Sequence, residues 1–357
     1  MSSVWGEQIK ITLFGESHGA AVGVVVDGLP PGEPVDLAGC RAELERRAPG
    51  RSELSSPRSE PDVVRVLSGL RSGATTGAPL CALIDNADTA REQDGKQRTA
   101  RPGHADYTAF VKYKGFADMR GGGHFSGRLT APLVFAGAVT CQILARRGVD
   151  IGARVVRVGA VVDDAAFEPT RQNLAELRGR SFPALCPNLT RDMQHEILAA
   201  KADGDSVGGI AEAVALGVPP GLGTPFFSSV ESSLSALLFS VPGVKGVEFG
   251  GGFGLAALRG SASNDAMRVE QGSIVFDSNN AGGILGGITN GQPVVVRAAF
   301  KPTPSIRKKQ ASVDLEAMKN TEISIDGRND PCIVPRAVPV VEACLAICIL
   351  DKWECFT

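Results

Sequence analysis

The chain has four histidines, and two of them lie in short polar segments framed by glycine. His18 lies within residues 15–19 and His104 within residues 101–106. A neighbouring glycine leaves room for a ligand to approach the backbone, and an imidazole changes its charge near neutral pH. The two segments therefore predict proton-transfer chemistry.

Basic residues occur in clusters, although the formal net charge is only −2. A near-neutral chain offers no electrostatic argument for binding nucleic acid or an anionic membrane. A locally basic cleft would instead suit a small polyanion, and solvated surface charge is the alternative for each cluster. The clusters are Arg41, Arg46, Arg47, Arg51 and Arg58; Arg98, Arg101, Arg120 and Arg128; and Lys301, Arg307, Lys308 and Lys309.

Two further segments are suited to binding an anion. Residues 122–128 have the glycine spacing of a nucleotide-binding loop, but Arg128 and Leu129 replace the lysine and hydroxyl residue of that loop. What remains is a run of backbone N–H groups with Ser126 and Arg128. Residues 301–305 place an ammonium and two hydroxyls on a backbone stiffened by two prolines. Such a backbone suits a phosphate, and a plain rigid turn is the alternative.

Residues 15–19 also match the Gly-x-Ser-x-Gly segment of α/β-hydrolases. That segment must lead into a helix, whereas residues 20–28 are predicted to form a strand. The late histidine of such a hydrolase would be His195, which is predicted to lie on a helix surface. A hydrolase is therefore disfavoured. No metal site is predicted, because the histidines lack ligand spacing and no carboxylate cluster accompanies them.

Short strands and helices alternate along the chain, which predicts an α+β fold with a single domain over residues 1–357. Residues 163–190, which contain three prolines, are predicted to form a variable surface excursion. Predicted strands span 22–27, 63–67, 80–84, 155–162, 210–216 and 294–300. Predicted helices span 36–47, 130–147, 188 or 190 to about 203, 228–240 and 337–352.

The composition predicts a cytoplasmic protein. The eight cysteines include no Cys-x-x-Cys pair, which favours buried thiols in a reducing compartment. The first ten residues lack the basic start and apolar run of a signal peptide, and no run of about 18 apolar residues predicts a membrane span. Aromatic residues make up 5% of the chain, too few for a surface that stacks nucleic-acid bases.

Many segments resemble, in the same order, those of the chorismate synthase family. They are residues 14–19, 27–32, 101–107, 120–123, 204–208, 217–223, 244–248, 280–287, 301–303 and 330–339. The resemblance implies a β-α-β sandwich and a homotetramer with active sites near subunit contacts. It implies a lyase that converts 5-enolpyruvylshikimate 3-phosphate to chorismate and phosphate by anti 1,4-elimination, the last step of the shikimate pathway. Similar enzymes require reduced flavin mononucleotide (FMN) without net redox change.

The resemblance also implies roles by position. His18 matches the acid proposed to protonate the departing phosphate, His104 the histidine near the reduced flavin, and Asp330 the carboxylate proposed to help the flavin take the ring proton. Substrate-side groups are matched by Ser17, Arg47, Arg101, Ser126, Arg128 and Arg328. The flavin site is matched by His124, Phe125, Ser126, Gly243, Gly286, Lys301, Pro302, Thr303, Pro304, Ser305 and Arg328.

Several positions depart from the family's commonest residues: Glu53 replaces arginine, His124-Phe125 replaces Arg-Ser, Leu129 replaces glutamate and Asn329 replaces histidine. An anion at position 53 should repel the substrate unless a neighbouring arginine pairs with it. A neutral His124 removes the positive charge of the family's arginine, and Leu129 removes the negative charge of its glutamate. The local charge sum is therefore unchanged, and we interpret the substitutions as a rebuilt wall of the flavin site. The substitutions motivate an alternative, a non-catalytic flavin- or metabolite-binding relative. The resemblance leaves open whether the enzyme itself reduces its flavin with NADPH or depends on an external source of reduced flavin.

Overall fold

The computed structural model describes residues 3–50, 52–56, 61–87, 99–165, 167–325 and 329–355. Within these ranges, two antiparallel sheets have five strands each. The N-terminal strands are β1 (Val4–Trp5), β2 (Lys10–Gly15), β3 (Ala21–Asp27), β4 (Val64–Ser68), β5 (Leu70–Arg71), β6 (Ala74–Thr75) and β7 (Leu80–Asp85). The first sheet has the order β1-β2-β3-β7-β4, and β5 pairs with β6 in a small hairpin.

The second sheet is built from later strands. The strands of this part are β8 (Asp150–Val158), β9 (Val161–Val162), β10 (Gly209–Leu216), β11 (Val244–Phe249), β12 (Met267–Glu270), β13 (Ser273–Phe276), β14 (Ile284–Leu285), β15 (Ile288–Thr289), β16 (Val294–Phe300), β17 (Gln310–Asp314) and β18 (Lys319–Ile323). The sheet order is β11-β16-β10-β8-β9, and the pairs β12-β13, β14-β15 and β17-β18 form separate hairpins.

The helices of the described ranges are α1 (Leu37–Arg47), α2 (Asp106–Lys112), α3 (Thr130–Arg146), α4 (Arg171–Gly179), α5 (Pro187–Ala202), α6 (Val230–Ser240), α7 (Gly260–Ser263) and α8 (Val334–Glu354). Short 3₁₀ segments cover Arg120–Phe125, Gly127–Leu129 and Gly252–Ala257.

Helices α3 and α8 occupy the middle of the molecule. Helix α3 packs against β3 and β7, α8 packs against β8 and β10, and the two helices pack on each other. The result is a β-α-β sandwich, as the resemblance implied. Strands β7 and β16 alternate buried and less buried residues, as expected for sheets that pack one face on helices. One hydrophobic core includes residues from Ile9 to Leu350.

The stretch Gly127–Arg146, which contains α3, is long and apolar enough to cross a membrane by length and composition. Within the protein, however, 83% of this stretch is buried. Burial on that scale is what a core helix between two sheets requires. A helix was predicted at residues 130–147 without a membrane span, because threonine and glycine interrupt its apolar run.

Gly137 lies where α3 crosses α8. A Cβ added at Gly137 would lie 2.1 Å from the Cβ of Ala343 and 2.4 Å from its Cα, so an alanine fits only if the helices move apart. We expect Gly137→Ala to lower the free energy of unfolding by about 1–3 kcal/mol, measured by urea denaturation. The matched control is Gly179→Ala, where an added Cβ meets no atom within 4 Å. Equal losses in the two variants would contradict this packing argument.

Most of the predicted strands and helices are confirmed, with small shifts of their ends. The strand predicted at 155–162 has wrong bounds, because β8 begins at Asp150 and ends at Val158. Gly159, with φ of 55°, turns the chain there, and Val161–Val162 forms the separate strand β9.

The variable surface excursion predicted at residues 163–190 stays a prediction, and most of its described residues are exposed or half-buried. Within it, helix α4 buries Leu174 and Leu177 and packs against β8, and Phe182 is buried after it. Pro187 begins α5, a position at which proline is favoured because the first helical N–H needs no partner.

Candidate active site

A cleft of about 840 Å³ gathers residues that lie far apart in the sequence. The segments that line it include residues 103–105, 124–128, 239–245, 300–305 and 329–330, with Arg47 at the end of α1 and Arg336 in the first turn of α8. Loops from the first-sheet half of the chain thus face the end of β16 and the start of α8.

The glycine-rich loop Arg120–Phe125 separates the two predicted catalytic histidines. Gly121, Gly122 and Gly123 have φ of 58°, 99° and 52°, which glycine adopts without steric cost. A Cβ at Gly121 would lie 2.3 Å from Nε2 of His18, and one at Gly122 would lie 3.2 Å from Nε2 of His104. Both imidazoles therefore pack against this loop. His104 and Gly121 line the cleft, and His18 lies behind Gly121.

His104 is oriented by a buried carboxylate. Its Nδ1 lies 2.6 Å from Oδ1 of Asp106, and Arg101 donates to both oxygens of the same carboxylate at 2.7 Å. Burial raises the pKa of Asp106, but the hydrogen bonds from Arg101 and His104 outweigh it and hold that pKa well below its usual range. Arg101 Nη2 also lies 3.0 Å from Nδ1. Since an ionised carboxylate only accepts, Nδ1 carries the proton that it donates to Asp106, and Nε2 is the nitrogen that lies beside Gly122.

The lowered pKa of Asp106 predicts a pH-dependent contribution to stability. A carboxyl group with a depressed folded pKa stabilises the protein above its ordinary pKa of 3.8, and this contribution is lost as the pH falls through the folded value. We expect Asp106→Asn to lower the free energy of unfolding by a constant amount above about pH 5, with a smaller difference at more acidic pH. Urea denaturation of both proteins between pH 7 and pH 3 measures this, and a difference that does not shrink would contradict it.

Two buried arginines share one buried carboxylate at the floor of the cleft. Arg47, Asp62 and Arg128 are 3%, 3% and 4% exposed. Asp62 accepts a hydrogen bond from Nη1 of Arg47 at 2.9 Å through one oxygen, and from Nη1 of Arg128 through the other. Burial, and next the Arg336 guanidinium, lower the pKa of Arg47 to about 9, although Asp62 opposes this. Two cations with one anion leave a positive excess that suits an anionic ligand.

Asp330 is held at the start of α8. One carboxylate oxygen accepts the Ser56 N–H at 2.9 Å, and the other pairs with Arg336. Arg336 also donates from Nε to the Arg47 carbonyl at 2.8 Å. The carboxylate is therefore positioned beside the arginine cluster through Arg336.

The opposite part of the cleft is formed by residues 301–305 and by an aromatic group. Lys301 donates from Nζ to the Gly103 carbonyl at 2.8 Å, and burial, followed by repulsion from Lys245, lowers its pKa. The ring centroids of Tyr113 and Phe125 are 6.2 Å apart. Aromatic rings in the same cleft as an ammonium and hydroxyl groups fit an aromatic ligand that carries a phosphate.

Comparison with known proteins agrees with this arrangement. A sequence profile described as chorismate synthase matches residues 9–353. The chain belongs to the chorismate synthase family. Members of this family carry out the lyase step that forms chorismate in the shikimate pathway, with a requirement for reduced flavin, and the chain is an enzyme of this type.

Individual chorismate synthases are similar over nearly the whole length. The one from Korarchaeum cryptofilum is 46% identical over 351 residues, which is 98% of this chain and 96% of that protein. The one from Thermococcus kodakarensis is 48% identical over 349 residues, covering 97% and 96%. A crystal structure of chorismate synthase is 29% identical with a TM-score of 0.77, and the match covers 97% of this chain and 92% of that one. The predicted family and fold are thus confirmed.

Most residues matched to the family's site lie at the cleft. The lining residues among them are Arg47, Arg101, His104, His124, Phe125, Ser126, Arg128, Gly243, Lys301, Pro302, Thr303, Pro304, Ser305 and Asp330. Arg328 lies outside the described residues. His195 is exposed on α5, as predicted, which leaves the hydrolase alternative without its third group.

Three predicted site residues that the structure describes do not line the cleft within one chain: His18, which lies behind Gly121, Gly286 and Ser17. Gly286 is in the turn between β14 and β15, and the neighbouring Gly287 carbonyl accepts the Val230 N–H at 3.0 Å. Gly286 itself is exposed, with no atom within 4 Å of an added Cβ, and its assignment to the flavin site stays a prediction. Ser17 is fully buried, and a Cβ at Gly121 would lie 3.1 Å from its Oγ. The glycine loop thus separates Ser17 from the cleft.

The positions that depart from the family pattern are distributed differently around the site. Glu53 is exposed and does not line the cleft, so its carboxylate does not face the arginine cluster. Arg51 and Arg58, the neighbouring arginines that could pair with Glu53, lie outside the described residues. Leu129 is buried in the core, whereas His124, Phe125 and Asn329 line the cleft. Among these departures from the family pattern, those that line the cleft are therefore His124, Phe125 and Asn329.

Sequence reasoning did not assign roles to Asp62, Asn86, Asp106 or Arg336. Asp106 and Arg336 lie within segments that resemble the family, so proximity to His104 and Asp330 was the available signal. Asp62 has no local signal, since its partner Arg128 is 66 residues away. Its φ of 45° is an unusual backbone conformation that only the structure reveals.

Proposed function

We propose that the cleft binds 5-enolpyruvylshikimate 3-phosphate and reduced FMN, and that its residues carry out an anti 1,4-elimination of phosphate. The observation that carries this proposal is the arrangement of two histidines along one glycine loop, beside buried arginines and an oriented carboxylate. A substrate with two carboxylates and a phosphate matches that positive excess. Charge contacts in such a buried site are stronger than in bulk water.

The arginine cluster is proposed to bind the substrate's anionic groups. Arg47 and Arg128 are held by Asp62, so their guanidinium groups are oriented before the ligand arrives. Preorganised donors lose little freedom on binding. Arg101, which is paired with Asp106, and Ser126 supply further polar groups at the same cleft. Ser17 and Arg328 remain proposed substrate-side residues on the basis of sequence position.

The proton steps are assigned to three groups. His18 donates a proton to the departing phosphate, which makes it a better leaving group. His104 keeps its Nδ1 proton on Asp106 and places a second imidazole at the cleft. Asp330, positioned by Ser56 and Arg336, supplies the carboxylate that assists removal of the ring proton. When bound, the reduced flavin lends electron density to the breaking C–O bond and recovers it.

The residues present fit a flavin. Lys301, Thr303 and Ser305 offer one ammonium and two hydroxyls for its phosphate. The Gly243 carbonyl accepts the Lys301 N–H at 2.9 Å, which holds Gly243 beside this segment. His124 and Phe125 provide the facing aromatic wall. These features support FMN as the cofactor, with NADPH as a candidate reductant.

Assembly and location are proposed in the same way. A homotetramer is supported by apolar side chains that one chain leaves exposed, among them Phe226, Phe253 and Val269 at 84%, 84% and 77%. A cytoplasmic location is supported by the eight cysteines, all of which are free thiols. Neither nucleic acid nor a membrane is proposed as a partner.

An anaerobic assay tests the function. The purified protein is mixed with 5-enolpyruvylshikimate 3-phosphate and dithionite-reduced FMN, and chorismate is followed by absorbance. We expect chorismate to form at a rate proportional to enzyme. A protein that binds FMN but yields no chorismate at any concentration would instead support the non-catalytic alternative. The same assay with NADPH and oxidised FMN, without dithionite, identifies the reductant.

A further inference from the structure

Asn86 connects two parts of the site that the sequence separates. It follows directly after β7 and is 7% exposed. Its Nδ2 donates to the Glu16 carbonyl at 3.0 Å and to the Gly19 carbonyl at 2.8 Å, so both hydrogens hold the loop that carries His18. Its Oδ1 accepts from Nε of Arg128 at 3.0 Å.

The amide group is the feature that these contacts require. Two carbonyl oxygens need two N–H donors, and the guanidinium needs an acceptor, which fixes the orientation of the side chain. An aspartate would keep the acceptor for Arg128 but would place a carboxylate oxygen against two carbonyls. The backbone N–H of Asn86 adds a fourth bond, to the Ala20 carbonyl at 3.1 Å. The His18 loop is thus anchored on both of its sides.

We infer that Asn86 is a positioning residue that sets His18 relative to the anion held by Arg128. This inference rests on the proposed role of His18 as the acid. Proton transfer needs the donor within hydrogen-bond reach of the leaving oxygen, and small displacements of a catalytic group are costly in rate. A single rigid side chain that binds both the acid's loop and the anion's arginine maintains that distance.

Asn86→Asp tests the inference, because it keeps the shape of the side chain and the acceptor for Arg128 while it exchanges the two donors for a charged acceptor oxygen. We expect kcat to fall roughly ten- to hundredfold with KM changed less than about threefold, as measured by the chorismate assay. In a His18→Ala background the same substitution should produce no further fall in kcat. Such non-additivity is expected only if Asn86 acts through His18.

The control and the contrary results are distinct. Asn173→Asp removes an amide that donates to the Glu168 carbonyl at 2.8 Å on α4, away from the cleft, and should leave kcat unchanged. Equal falls in kcat with and without His18 would overturn the inference. A wild-type rate for His18→Ala alone would instead overturn the proposed acid. If Asn86→Asp does not fold, Asn86→Ala lacks the new repulsion and is tested in the same two backgrounds, with the same outcomes.

Discussion

Replacing Asp62 by alanine is expected to lower the free energy of unfolding by about 3–5 kcal/mol. Asp62 is the carboxylate that Arg47 and Arg128 share, and all three side chains are buried. Without it, two guanidinium groups remain out of water with one fewer counter-charge. Urea denaturation at pH 7 measures the loss.

A ligand should partly reverse this loss. Inorganic phosphate can supply the missing negative charge, so we expect it to raise the unfolding midpoint of Asp62→Ala more than that of the wild type. The matched control is Asp277→Ala, which removes an exposed carboxylate from Arg268 and should cost about 1 kcal/mol or less. A loss for Asp62→Ala as small as the control's would show that the buried arginines do not depend on Asp62.

Replacing His18 by alanine is expected to lower kcat for chorismate formation by about a hundredfold or more, because the departing phosphate loses its proton donor. His18 packs against Gly121, whereas Arg47 and Arg128 line the cleft, so KM should change much less than kcat. Steady-state kinetics with dithionite-reduced FMN separate the two constants.

His195→Ala is the control for loss of a histidine, since His195 is exposed on α5 and takes no part in the cleft. It should retain wild-type kcat. A near-normal kcat for His18→Ala would remove His18 from the mechanism, and the acid would then have to be sought at His104, the other imidazole beside the glycine loop.

Much of the fold follows from local sequence. Asp36 was predicted to begin a helix, and its Oδ1 does accept the Ala38 N–H at 2.9 Å as the N-cap of α1. Gly148 directly follows residue 147, the predicted end of the helix that is α3, and has φ of 85°. Caps and glycine stops are properties of a few consecutive residues, so they can be recognised without knowing the partners.

Some elements could not be predicted from local sequence. Helix α4 was not predicted within residues 163–190, and it buries Leu174 and Leu177 where it packs against β8. Contacts with a distant segment decide this outcome, and local propensity does not include them.

The sequence by itself determined the chemistry: two histidines beside glycines, clustered arginines, and enough matching segments to indicate the family. Only the tertiary structure decided which side chains position the predicted site residues. Asp62 reaches Arg128 across 66 residues, and Asn86 reaches the Glu16 carbonyl across 70. Such pairs form because two sheets and two central helices bring their loops to one cleft. Burial away from water strengthens these hydrogen bonds. The spacing of residues along the chain does not encode that burial.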